Sequence, residues 1–138
     1  MRRLIILLGL LLFLLNGCAS TDKYLITQVS SRHKEIVRVF EYPYKDVYNA
    51  IVSVLERRLQ FGVNRKYTTQ DTIYSSYALS PVTFLYKGAY VYLFKLKSID
   101  DTHTQVSLKA QGPTIVVSDK DMMDKYIPEE LSYLKINK

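Results

Sequence analysis

The 138-residue chain has no tryptophan, one cysteine, two histidines, five glycines and four prolines. A single cysteine excludes an internal disulfide, and an odd thiol in an exported chain needs its own explanation. His33 and His103 have no Cys, Asp or Glu near them at metal-ligand spacing, so both read as solvated surface residues and no metal is expected. No Gly-x-Ser-x-Gly elbow is present, and no glycine-rich phosphate loop. Lys and Arg number 19 against 13 Asp and Glu, a formal net charge of +6, but no run of five or more basic residues occurs. With no recognition motif either, nothing supports a nucleic-acid partner. The longest apolar run, residues 4–15, falls short of the roughly 20 residues that a helix needs to cross a bilayer.

That run has a different meaning in its context. Arg2 and Arg3 precede it, which gives the basic start and short apolar core of a secretory signal peptide. It is followed by Leu15-Asn16-Gly17-Cys18-Ala19-Ser20, which resembles the bacterial lipobox; Asn16 departs from the usual small or aliphatic choice at its position. The resemblance implies cleavage between Gly17 and Cys18, and a diacylglycerol and an N-acyl chain on the Cys18 thiol and amine. No other cofactor is expected. It also assigns the lone thiol to lipid, which removes it from catalysis. The competing reading, an apolar segment retained as an anchor, leaves Gly17-Cys18 without a purpose. Each buried CH₂ contributes about 0.8 kcal/mol, so several acyl chains together hold a protein durably where one does not. In a two-membrane cell, Ala19 after the modified cysteine resembles the pattern sorted to the outer membrane. The expectation is therefore a lipid-anchored protein of the cell envelope, facing the periplasm.

Loss of residues 1–17 leaves 121 residues and removes two arginines, so 17 basic residues face 13 acidic ones, an excess of +4. That length suits one domain that buries a core without disulfides or metal. Residues 18–34 are polar and read as a lipidated tether, and residues 35–138 as the domain. Ile36-Val37-Arg38-Val39-Phe40-Glu41 is β-branched and aromatic, a strand pattern. Pro43 opens a helix over residues 44–60. At about 100° per residue, Tyr44, Val47, Tyr48, Ile51, Val52, Val54, Leu55 and Leu59 share one side. Lys45, Asp46, Asn49, Ser53, Glu56 and Arg57 share the other. Arg58, the one charge on the apolar arc, is placed to snorkel toward the helix end, and Gly62 is the stop signal. Strands follow over 63–69, 72–79, 90–99 and 102–111, the last two joined through Asp100-Asp101. Tyr90-Val91-Tyr92-Leu93-Phe94 is apolar on both faces, which marks a central or doubly covered strand. Ser118 caps a short helix over 119–126, and Pro128 opens a further turn to Leu134. The expected fold is α+β: one long amphipathic helix on a curved antiparallel sheet of about five strands, with a short C-terminal helix.

Asp119, Asp121 and Glu130 match three ligand positions of a calcium loop, but Met123 and Asp124 occupy positions that need a ligand and a glycine. Acids at a helix start account for them better. The remaining signal is tyrosine, 12 in all. An apolar body with a polar tip suits either a sheet or an interface. Phe84-Leu85-Tyr86 lies in an apolar loop over 80–88, which is either an exposed adhesive patch or a flap that completes the core. The segment from Phe40 to Ile51 is similar to one in small bacterial lipoproteins, where an aromatic strand enters a helix bearing a Val-x-x-Ala pattern. The arrangement over 35–110 also resembles the helix-grip domains of BamC-type accessory lipoproteins. That resemblance carries no catalytic motif. It implies a non-enzymatic, protein-binding envelope-assembly accessory, with Phe84, Leu85, Tyr86, Tyr90 and Tyr92 as candidate partner contacts. The alternative is a carrier or sensor of a small apolar ligand held between helix and sheet.

Overall fold

A computed structural model describes residues 34–65, 68–77, 90–111 and 117–137, with backbone alone at 76, 77 and 90. Four strands form one antiparallel sheet in the order β1-β4-β3-β2, with two helices against one face. The strands are β1 (Ile36–Phe40), β2 (Thr72–Tyr77), β3 (Tyr90–Asp100) and β4 (His103–Gln111). The class is α+β, as the sequence pattern implies.

Helix α1 starts at Tyr44–Ser53 and runs on into a π-helical turn, Val54–Arg58. Pro43 sits at its N-cap, where the ring's missing N–H costs nothing, and its carbonyl accepts from the amides of Asp46 and Val47. Of the predicted apolar side, Val47, Ile51, Val54 and Leu55 are fully buried and Tyr44, Tyr48, Val52 and Leu59 half-buried, and Ala50 is buried beside them. The helix ends at Gln60, which takes a left-handed φ of 56°. The next amide, of Phe61, then turns back to the Leu55 carbonyl at 2.7 Å. Gly62, the expected stop, lies two residues further on and is not left-handed.

Two expectations are corrected. Among the described residues the sheet has four strands rather than five. Of the segment 63–69, Val63 makes an isolated bridge to Ser75, and the Asn64 amide donates to the Tyr74 carbonyl. A turn begins at Arg65, so the ladder does not extend. The C-terminal helix, α2, is not short. It runs through Asp119–Asp121, a π-helical turn at Met122–Tyr126, and Ile127–Ile136 without a break. Ser118 caps it as expected, its Oγ accepting from the Asp121 amide at 3.0 Å. Pro128 does not start a separate turn, because the preceding turn is widened. The Ile127 amide reaches back five residues to the Met122 carbonyl. Widening relieves the clash between a proline ring and the carbonyl four residues earlier.

Phe40, Ile73, Phe94, Leu96, Val106 and Leu108 point from the sheet toward α1 and toward Met122, Met123, Ile127 and Leu131 of α2. Strand β3 is central, between β4 and β2, and its residues Val91, Tyr92, Leu93 and Phe94 are buried on both faces. Val91 and Leu93, with Tyr74 of β2 opposite Leu93, are buried on the face away from the helices. The β3–β4 hairpin closes at the predicted place, with Asp100 opposite His103.

Candidate functional site

The sequence-predicted contacts scatter. Gly17, Cys18, Phe84, Leu85 and Tyr86 lie outside the described residues. Tyr90 is placed by its backbone alone, paired with Tyr77 at the start of β3. Tyr92 belongs to the core: its ring is 3% exposed and stacks on Phe61 and Phe94, and its hydroxyl donates to the Val117 carbonyl at 2.8 Å. That burial takes the Tyr92 side chain away from the surface, where a partner would meet it. Among the tyrosines whose side chains are described, Tyr133 alone is exposed. Tyr42, Tyr44, Tyr48 and Tyr126 pack their rings against the core cluster.

The most concentrated polar chemistry joins the two helices, and the sequence pattern hides it. Glu130 of α2 is 6% exposed. Its Oε1 accepts from Ser53 Oγ at 2.5 Å and from Arg57 Nη2 at 3.1 Å. Arg57 also donates twice to Ser53 Oγ. The neighbouring Arg58 crosses to α2 rather than to its own helix end. It donates to Glu129 at 2.9 Å and to the Tyr126 carbonyl, and lies 4.6 Å from the centre of the Tyr126 ring. The Ser53 hydroxyl thus donates to the Glu130 carboxylate and accepts from the Arg57 guanidinium, which links three side chains in one network. The cluster ties α1 to α2 through side chains. Among the described residues no group of His, Cys, Asp and Glu is arranged to hold a metal ion.

Strand β1 offers the other kind of site, a docking edge. It borders the sheet, and among the described residues nothing pairs with its outer side. Val37 and Val39 point away from the helices and are 41% and 52% exposed. Across the sheet, register places Val37 beside Ser107 and then Lys95, and Val39 beside Gln105 and then Lys97. Arg38 points the other way. Its Nε and Nη2 donate to the two carboxylate oxygens of Asp124 on α2, at 2.7 and 3.2 Å. That fork holds the Asp124 carboxyl below its usual range and raises Arg38. The charge at the centre of the edge is therefore already matched within the chain. Exposed edges with β-branched residues are templates for another strand, and proteins guard them with short strands, charges, proline or bulges. Within its five residues β1 has no proline or bulge, and its one charge, Arg38, is paired to Asp124.

A recess of about 240 Å³ lies at the base of α1, lined by Tyr42, Pro43, Leu131 and Leu134, with Glu41, Asp46 and Lys135 around it. At the hairpin tip, the Thr102 amide donates to Asp100 and His103 Nδ1 lies 2.9 Å from the same oxygen. The amide first and the histidine second draw the Asp100 carboxyl down to about 2.

No family model matches the chain, and no curated protein matches it. Among solved structures it is similar to the Zhui aromatase/cyclase from Streptomyces sp. R1128. The likeness has 14% identity over 76% of this chain and 82% of that one, with a TM-score of 0.35. A likeness at that level carries no functional inference.

Proposed function

We propose that this is a lipid-anchored lipoprotein of the cell envelope, a non-enzymatic accessory that docks a protein partner along β1. The lipobox-like Gly17-Cys18 supports the anchor, with the diacylglycerol and N-acyl chain on Cys18 as its only attached groups. Ala19 supports an outer-membrane location facing the periplasm. The observation that carries the docking reading is the β1 edge, with Val37 and Val39 exposed on a strand that ends the sheet. Strand addition at such an edge gains main-chain hydrogen bonds and reads alternate side chains for specificity. Phe84-Leu85-Tyr86 is retained as a second candidate contact. The BamC-type likeness of the 35–110 arrangement agrees with an assembly role.

The alternative is a small apolar ligand held between helix and sheet, where the described residues form one buried cluster. Val47, Ile51, Val54 and Leu55 of α1 are fully buried against Phe94, Val106 and Leu108. The test is a photo-crosslinking residue at position 37 of the full chain, in membranes, with mass spectrometry of the adducts. One reproducible protein adduct at 37, absent with the same probe at the solvent-facing Lys45, supports the reading. Equal or absent labelling at the two positions overturns it. Mass spectrometry of the membrane-bound chain that finds Cys18 without acyl chains overturns the anchor.

A further inference from the structure

The β1 sequence is symmetric about its centre: Ile36-Val37-Arg38-Val39-Phe40 reads apolar, valine, arginine, valine, apolar from either end. In an antiparallel pair, residues directly opposite share a face. A twofold axis through Arg38 therefore sets Val37 against Val39 of a second copy on the exposed face, and Ile36 against Phe40 on the helix face. Like meets like on both sides. Shifting the axis to Val37 sets Ile36 against Arg38 and Glu35 against Val39. Shifting it to Val39 sets Arg38 against Phe40 and Val37 against Glu41. Of these three, the Arg38-centred register alone avoids a charge against an apolar residue, and it sets Glu35 against Glu41 just beyond the strand ends.

We infer that the partner strand docking on β1 is the β1 of a second copy, in this register, joining two four-stranded sheets into one. The inference rests on the reading of β1 as a docking edge. The obvious objection, arginine opposite arginine, is met inside each chain, because both carboxylate oxygens of Asp124 already accept from Arg38. Two arginines and two aspartates leave the centre neutral. The contact is isologous, so it closes at two copies. It does not extend into a fibre through the far edge, since β2 is bridged there by Val63. A five-residue strand buries well under the roughly 800 Å² per partner of a standard interface. The pairing is consequently weak in free solution and favoured where copies are held in a plane. An anchor at Cys18 lies 18 positions before Ile36 in the chain, so it confines each copy to the membrane surface.

Two full-length variants, Val37→Cys and Val39→Cys, test the register when co-expressed and oxidised in intact membranes. Opposite residues of an antiparallel pair have Cα atoms about 4.5–5.5 Å apart, within disulfide reach, whereas 37–37 and 39–39 pairs lie beyond the roughly 7 Å limit. The expected result is about tenfold more disulfide dimer from the mixture than from either variant alone. Both valines are surface residues, so matched thermal melts confirm that the variants fold. Equal dimer in all three samples, or none, overturns the self-pairing. The photo-probe at position 37 separates the two levels. Adducts to a different protein with no self-adduct remove the second copy and keep the docking edge, and no adduct removes both. A disulfide dimer of the parent chain through Cys18 reports an unlipidated thiol and overturns the anchor instead.

Discussion

Gln60 closes α1 from a left-handed backbone, φ 56°, in which the Cβ of an L-residue crowds the following carbonyl. That conformation costs an ordinary residue about 1–2 kcal/mol and glycine almost nothing. The side chain is exposed, so its removal loses little packing. Against the gain stands the larger backbone entropy of glycine in the unfolded chain, about 0.5–1 kcal/mol. Gln60→Gly should then stabilise the protein by about 0.5–1 kcal/mol, which raises Tm by about 2–6 °C in a domain of this size. Urea titration by circular dichroism should move the midpoint upward with the slope m unchanged, the mark of a native-state effect. Gly62 is the control. It is not left-handed, and a Cβ built there meets nothing within 4 Å, so Gly62→Ala should also stabilise, by about 0.4–1 kcal/mol through the unfolded chain. The reasoning is refuted if Gln60→Gly destabilises the domain, or if Gly62→Ala proves the costlier change, because the helix would then be ending where the sequence alone places its stop.

Three further outcomes follow from the interior and the hairpin. Ser53→Ala leaves the buried Glu130 carboxylate one donor short and should cost about 1–3 kcal/mol, whereas Glu130→Leu, which removes the buried charge altogether, should be far milder or stabilising. Chemical denaturation of the two variants decides the order, and the reverse order sinks the account. Tyr92→Phe should cost about 0.5–1.5 kcal/mol through the lost bond to the Val117 carbonyl and should leave partner capture unchanged; lost capture at wild-type stability would return Tyr92 to the surface. Asp100 has a folded pKa of about 2 against an ordinary 3.8, so its contribution is complete above that ordinary value and fades as pH falls toward 2. Asp124, also depressed, adds in the same direction. Tm between pH 2 and 6 should decline less steeply on the acid side for Asp100→Asn than for the parent, and parallel curves would contradict the assignment.

The sequence determined what local periodicity can carry. The 3.6-residue stripe from Val47 to Leu55 specified α1 and its buried face. The alternation from Thr104 to Ala110 specified β4, and the doubly apolar Tyr90–Phe94 stretch specified a strand covered on both sides. Ser118 announced the cap of α2, and Asp100-Asp101 the hairpin. In each case the deciding contacts lie within a few residues of one another. Tertiary structure decided the rest, because its partners are distant in the chain. Nothing near Ile36 indicates that β1 lies against β4 at an edge, which is what leaves Val37 and Val39 exposed. Ser53 and Arg57 fall on the polar arc of α1, and only the approach of α2 converts that arc into a lock around Glu130. Pro128 signals a break until the π turn before it lets the helix continue. Tyr92 has the composition of an interface residue and the coordinates of a core residue, since a ring on a central strand beneath a helical layer has no path to solvent.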